Sequence, residues 1–213
     1  EVADIAQPEA SKVAIEWYEA KLQQTLSEIE DNFDKYRLSD ALMAIYKLVW
    51  DDFCSWFLEM IKPGYQQPID RATFEKAIEM LENNLKLLHP FMPFLTEEIW
   101  QKLGAEGETI MLSEFPKFDQ TKVDTVSENA FIYVQELVSA IRNIRAEMNV
   151  SPAKAIHLVL KSVDEIELET LEANKGFLCS LAKVEKLEFG KDSEGNIILA
   201  DEVSPDRKST RLN

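Results

Sequence analysis

From Ala10 to Lys62 the chain contains neither glycine nor proline, and a stretch of that length with no backbone punctuation leaves room for little except long helices. Its apolar residues recur at steps of three and four. In the first half Ile15, Tyr18, Leu22, Leu26, Ile29, Phe33 and Tyr36 repeat every seven residues, with Glu and Gln opposite them. In the second half Leu38, Leu42, Ile45, Val49, Phe53, Trp56 and Met60 define one face, and Ala41, Ala44, Leu48, Phe57 and Ile61 define another. Side chains so spaced align along a helix. The pattern predicts two antiparallel helices joined at Asp34–Arg37, the second a central rod, capped at Ser39, with Trp50, Phe53 and Trp56 mainly in the core. Pro63-Gly64 ends the rod.

A third helix is predicted from Asp70 to Leu88, with Asp70 as its cap and Phe74, Ile78, Leu81, Leu85 and Leu88 as its stripe. Pro90 and Pro93 then force a bend, and a short helix restarts at Pro93 or Phe94 and stops at Gly104. Leu95, Ile99, Trp100 and Leu103 of that helix are expected to close the end of the bundle. His89, beside the prolines, reads as a structural residue. A short strand is expected at Ile110–Leu112, and a fifth helix from Asp124 to Met148.

After Ser151-Pro152 the hydrophobic period changes from helical to alternating. Ile156, Leu158 and Leu160 alternate with His157, Val159 and Lys161, the mark of a half-buried strand. A helix over 163–182 and two strands, Val184–Phe189 and Ile197–Leu199, joined across Asp-Ser-Glu-Gly-Asn, complete a β-α-β-β unit. The expected architecture is therefore mainly α. An antiparallel helical bundle over residues 1–150 precedes a small α+β subdomain over 151–201, and residues 202–213 form a disordered tail.

Two cysteines, Cys54 and Cys179, on segments that both read as helical, do not make a disulfide framework or a zinc site. No apolar run reaches the ~18–20 residues of a membrane span, and the N-terminus lacks the basic and apolar regions of a signal peptide, so the expected location is the cytoplasm and no membrane partner is expected. Nucleophile elbows, glycine-rich phosphate loops and paired metal-ligand motifs are all missing from the sequence. On its residues alone the chain is not an enzyme.

A net charge of −16 argues against non-specific nucleic-acid binding, which depends on excess positive charge. One segment departs from it. Between Leu137 and Val163, Arg142, Arg145, Lys154 and Lys161 face only Glu147, a local net charge of +3. Arg142, Arg145 and Asn149, three and four residues apart, share one helix face, and Lys154 follows on the same rim. Guanidinium forks, an amide and an ammonium on one edge suit phosphate and base contacts. The competing reading pairs the arginines with carboxylates of neighbouring helices.

Three segments also resemble a known family. WDDFCSWFLE at 50–59 with Lys62-Pro63, LLHPFMPFLTEEIWQKL at 87–103 and IRNIRAEMNVSPAKAI at 141–156 are similar, in order, to the C-terminal part of valyl-tRNA synthetases. The proline-rich segment is shared with the class I synthetases for isoleucine and leucine, while the other two are more specific to the valine enzymes. The resemblance covers roughly residues 9–190. It implies a helical anticodon-binding domain that recognises the anticodon stem-loop of tRNA(Val), with Arg142, Arg145, Asn149 and Lys154 as the candidate contacts. It also implies a parent whose catalytic domain uses ATP and Mg²⁺, a coiled-coil arm beyond the α+β unit, and no cofactor in this stretch, which alone would be inactive. A further helix would precede Glu1, and its absence would leave an apolar groove beside Trp17, so the alternative reading is a helical protein-interaction scaffold. SPDRKSTRLN at the C-terminus departs from the family pattern.

Overall fold

The computed structural model describes residues 1–104, 107–122, 125–151, 154–161, 171–172, 174–190 and 198–200. These fall into two compact units, Glu1–Glu128 and Asn129–Asn213. The division follows packing, whereas residue 150 marks the change of hydrophobic period.

In the first unit a two-residue strand β1 (Val2–Ala3) pairs in parallel with β2 (Ile69–Asp70), and Asp4 forms an ion pair with Arg71. Helix α1 (Glu9–Asp34) buries Ile15, Tyr18, Leu22, Leu26 and Ile29, the predicted stripe. It ends in a Schellman turn: Arg37 N–H donates to the Asn32 carbonyl at 2.8 Å and Tyr36 N–H to Phe33 at 3.0 Å, with Tyr36 at φ 56°. Tyr36, assigned to the buried stripe, is exposed because the left-handed turn swings it off the helix face.

Helix α2 (Leu38–Lys47) starts without a side-chain cap, so Ser39 does not serve as one. It then runs into a ten-residue π-helical segment, Leu48–Phe57, before a last α turn, α3 (Leu58–Met60). The wider turn shows in the bonding: Leu58 N–H donates to the Phe53 carbonyl, and Ser55 Oγ donates to the Trp50 carbonyl at 2.8 Å, both five residues back. Buried positions along the rod are Ile45, Leu48, Phe53, Phe57 and Met60, and the step from Leu48 to Phe53 is five rather than three or four. The predicted second face, Ala41, Ala44, Leu48, Phe57 and Ile61, is buried throughout, whereas the predicted first face is buried at Ile45, Phe53 and Met60 and exposed at Leu38 and Leu42. Trp50 is 59% exposed, stacked on Tyr46 at 6.3 Å, and Leu38, Leu42 and Tyr46 are exposed in the same row. Trp56 is half-buried.

The aromatic core of this unit is Tyr18 between Phe53 and Phe57, with ring centroids 5.4 and 5.0 Å away. Its hydroxyl donates to Asn84 Oδ1 at 2.8 Å, from α4 (Arg71–Leu88). Burial in this apolar setting pushes the phenol far above its ordinary range. Asp70 caps α4 as predicted, accepting from Thr73 N–H at 2.8 Å. The buried face of α4 is Thr73, Met80, Asn84, Leu85 and Leu87; the predicted stripe holds at Leu85, while Phe74 is exposed. Trp17 is buried to 1% exposure, and an exposed apolar row, Leu38, Leu42, Tyr46 and Trp50, runs along the central rod, which the expected groove was to flank.

Helix α5 (Pro93–Leu103) begins with its proline in the first turn and ends on Gly104 at φ 67°, as the sequence predicts. His89 Nδ1 lies 2.7 Å from Thr96 Oγ1, tying the bend to the new helix. Trp100 joins Leu85 and Ile110 in a small core, with Lys86 Nζ 5.5 Å from its ring centroid. Leu95 instead is exposed. Ile110–Leu112 is a 3₁₀ turn rather than a strand. Glu97 fixes it, accepting from Thr109 Oγ1 at 2.7 Å and from Ile110 N–H at 3.2 Å; a second 3₁₀ turn follows at Gln120–Lys122.

The second unit holds all but the start of α6 (Thr125–Glu147), which buries Phe131, Val134, Leu137, Val138, Ile141 and Ile144. Strand β3 (Ile156–Lys161) buries Ile156, Leu158 and Leu160, and α7 (Lys175–Leu181) buries Phe177, Leu178 and Leu181. In the sheet β3 is central: β4 (Val184–Gly190) runs parallel on one side and β5 (Ile198–Ala200) antiparallel on the other. β4 and β5 are thus not hairpin partners, although sequence proximity predicts that pairing; the parallel β3-α-β4 crossover occupies one edge and leaves the other to β5. The expected turn between them, and residues 163–170 and 173 of the expected helix over 163–182, lie outside the described residues.

Candidate nucleic-acid interface

The C-terminal end of α6 carries Arg142, Arg145 and Asn149, and the structure brings all three to one cavity of about 530 Å³ within the second unit. Ala146, Val150, Ser151, Leu181, Ala182 and Lys183 complete its lining. Among the described residues no Asp or Glu lines it.

Arg145 is the organising residue. It is only 5% exposed. Its Nη1 donates to the Ala182 carbonyl at 2.7 Å, and its Nη2 donates to the carbonyls of Ser151 at 2.7 Å and Lys154 at 2.5 Å. Arg142 Nη2 donates to the Leu181 carbonyl at 3.1 Å. Helices leave their final carbonyls unsatisfied and carry partial negative charge there. The two guanidinium groups meet that need at the end of α7, and Arg145 also fastens the chain that leaves α6. Arg145 therefore faces three backbone carbonyls, and Arg142 donates to one.

Asn149 closes α6. It sits at φ 53°, and the bonds from Val150 N–H to Arg145 at 2.8 Å and from Asn149 N–H to Ala146 at 3.1 Å make a Schellman turn. Asparagine tolerates this left-handed geometry better than most side chains. Lys183, just past α7, has φ 53° as well. Both residues are exposed on the cavity's lining, and Arg142 and Lys154 are exposed with them. Lys154 lies beyond the cavity lining but is tied to it through the bond from its carbonyl to Arg145. The predicted set thus comes together as three exposed polar residues around a buried guanidinium. Sequence reasoning missed Lys183, which lies outside the basic segment and joins it only through the β3-α7-β4 crossover.

Elsewhere the charged groups make short-range surface pairs, such as Lys35 with Asp31 at 2.6 Å and Lys102 with Glu98 at 3.0 Å, of the kind worth little to stability. Among the described residues no cluster of three or more His, Cys, Asp or Glu is arranged to hold a metal ion, and none of their helices is long and apolar enough to cross a membrane.

The first unit is helical, and the second, a small α/β unit, carries a cavity bordered by Arg142, Arg145 and Lys183. Residues 16–160 match the model of the anticodon-binding domain of tRNA ligases, and the chain belongs to that family. It is similar to the valine–tRNA ligases of Parabacteroides distasonis (45% identity, 87% of this chain, 21% of the relative) and Phocaeicola vulgatus (44%, 93% and 22%). The valine–tRNA ligase of Fusobacterium nucleatum is 41% identical over 84% of this chain and 21% of its own length. These matches support the resemblance to the C-terminal region of valyl-tRNA synthetases, and the chain spans about a fifth of the length of the curated relatives. A second and shorter match, to the SAICAR synthetase model, covers residues 145–212.

Proposed function

We propose that the chain is the tRNA-recognition part of a cytoplasmic valine–tRNA ligase, and that it contacts the anticodon stem-loop of tRNA(Val) through the rim formed by Arg142, Asn149 and Lys154. Arg145 serves that rim from below, holding the ends of α6 and α7 in register. The parent protein would attach valine to its tRNA using ATP and Mg²⁺ on segments outside this chain. The observation that carries the reading is the concentration of cationic side chains around one cavity in a chain of net charge −16. Such a site attracts phosphate locally while the rest of the surface repels it, which favours a defined docking register over sliding.

The test is a titration of the chain with the tRNA at several salt concentrations. About three phosphate contacts give a log–log slope of roughly −2 to −3. Arg142→Ala with Lys154→Ala flattens the slope by nearly two units. An unchanged slope and affinity would remove these residues from the interface.

A second reading is favoured by the exposed row Leu38, Leu42, Tyr46 and Trp50: a scaffold that self-associates through that face. Sedimentation of the chain as a monomer at micromolar concentration would count against it.

A further inference from the structure

We infer that two copies of the chain pair through the outer face of the rod, antiparallel and about a two-fold axis that passes between Tyr46 and Trp50. The inference rests on the self-association reading above and deepens it by fixing orientation and register. The exposed row does not stop at Trp50. It continues at the same four-residue step through Cys54, which is exposed, and Leu58, which is 38% exposed. Four residues of an α-helix turn about 40° past a full circle, so a row at that step winds about 200° between Leu38 and Leu58, too far for one partner helix to follow. The wider π turns over Leu48–Phe57 reverse that drift, because four of their residues fall short of a circle. The α half of the row winds one way and the π half winds back, which makes the row nearly symmetric about its midpoint.

A symmetric row is self-complementary, since in a two-fold pair residue i meets j and j meets i. With the axis at the midpoint, Leu38 comes opposite Leu58 of the second copy, Leu42 opposite its Cys54 and Tyr46 opposite its Trp50. Tyr46 and Trp50 already stack within one chain, with planes 12° from parallel. Two flat aromatic plates therefore meet at the centre, where such anchors contribute most to an interface. The charges beside the row obey the same symmetry. Lys47 and Asp51 follow Tyr46 and Trp50 on one flank, and an antiparallel two-fold brings like flanks together, so each Lys47 faces the other copy's Asp51. Within one helix a lysine four residues before an acid is the weaker orientation for pairing. Both residues are exposed, and neither has an ion-pair partner among the described residues. A contact about 30 Å long and one helix wide buries on the order of 1,000 Å² in total, the lower end for a specific interface, so association in the micromolar range is expected.

The chain is sedimented over about 1 to 200 µM, a range that brackets micromolar affinity, as the unmodified protein, as Trp50→Ala, as Lys47→Asp, as Asp51→Lys and as an equimolar mixture of the two charge variants. The expected result is a dimer that each variant alone weakens about tenfold, through the lost aromatic anchor or through two like-charge contacts in place of two ion pairs. The mixture regains the unmodified affinity, because a pair made of one copy of each charge variant restores both opposite-charge contacts; pairing within one chain gives no such rescue. Leu42→Cys, oxidised with diamide, then gives a covalent dimer linked between position 42 and Cys54. The unmodified chain gives no Cys54–Cys54 link, since those residues lie roughly 18 Å apart along the pair and a disulfide needs Cα atoms within about 7 Å. A dimer without the 42–54 link, or a mixture no tighter than its components, would overturn the register and leave self-association through this face standing. A dimer that Trp50→Ala leaves unchanged would move self-association to another face and overturn both. A chain that stays monomeric throughout would also overturn both and assign the row to a different partner.

Discussion

Replacing Arg145 with Ala removes three hydrogen bonds from one buried side chain and should be the most damaging single change in the second unit. Its bonds to Ala182, Ser151 and Lys154 measure 2.7, 2.7 and 2.5 Å, and each is charge-assisted, worth about 1.5–3 kcal/mol. Simple addition overstates the total, because the freed carbonyls recover some water and the bonds share one guanidinium. A net loss of about 3–5 kcal/mol follows, comparable with breaking other buried charged networks. Arg142→Ala, which removes the bond to the Leu181 carbonyl at 3.1 Å from an exposed residue, should cost about 1 kcal/mol. Amide hydrogen exchange of β3 and β4 reads the difference where it arises: those amides should exchange roughly 150- to 4,000-fold faster in Arg145→Ala when reclosing is faster than intrinsic exchange. Arg145→Lys keeps the charge but cannot span three acceptors, so it should recover only part of the protection. Equal exchange rates in the two alanine variants would refute the organising role of Arg145.

Phe57→Ala should cost about 3–5 kcal/mol, because the ring is fully buried against Tyr18, whereas Trp50→Ala should cost less than about 1 kcal/mol; urea unfolding measures both. Gly104→Ala should lose about 1 kcal/mol, measured the same way, and purely from the left-handed backbone, since a Cβ there meets nothing within 4 Å. Hydrogen bonds from Gln101, Thr109 and Ile110 hold the Glu97 carboxyl below its ordinary value of 4.5. The stabilisation from this depressed pKa is therefore present above about pH 4.5 and is lost as pH falls through the folded value. Glu97→Gln should remove that acid-side loss for the 3₁₀ turn at Ile110, followed by NMR shifts of the Thr109 and Ile110 amides.

Periodicity made the helices legible because each buries one continuous stripe. The α1 stripe holds from Ile15 to Ile29, and the proline restart, the Asp70 cap and the alternation of β3 all follow local rules that a sequence displays. The rod was misread where geometry departs from those rules. Nothing in Leu48–Phe57 announces π bonding, and Trp50 continues the exposed row of Leu38, Leu42 and Tyr46 instead of joining the core. Sheet order was hidden for a different reason, since it depends on which edge the α7 crossover takes. In the candidate site the charge contrast located Arg142, Arg145, Asn149 and Lys154, but helix spacing does not distinguish an arginine that points outward from one that caps a neighbouring helix. Burial and the carbonyl acceptors separate Arg145 from Arg142, and Lys183 enters only through the fold.

Hydrogen exchange of the chain with and without the anticodon hairpin tests the central claim most directly, because it maps contact without presuming which residues make it. The account predicts protection concentrated at residues 142–151, Lys154 and 181–183, with Glu1–Glu128 little changed. Protection confined to Glu1–Glu128, with the ends of α6 and α7 exchanging as in the free chain, would contradict it.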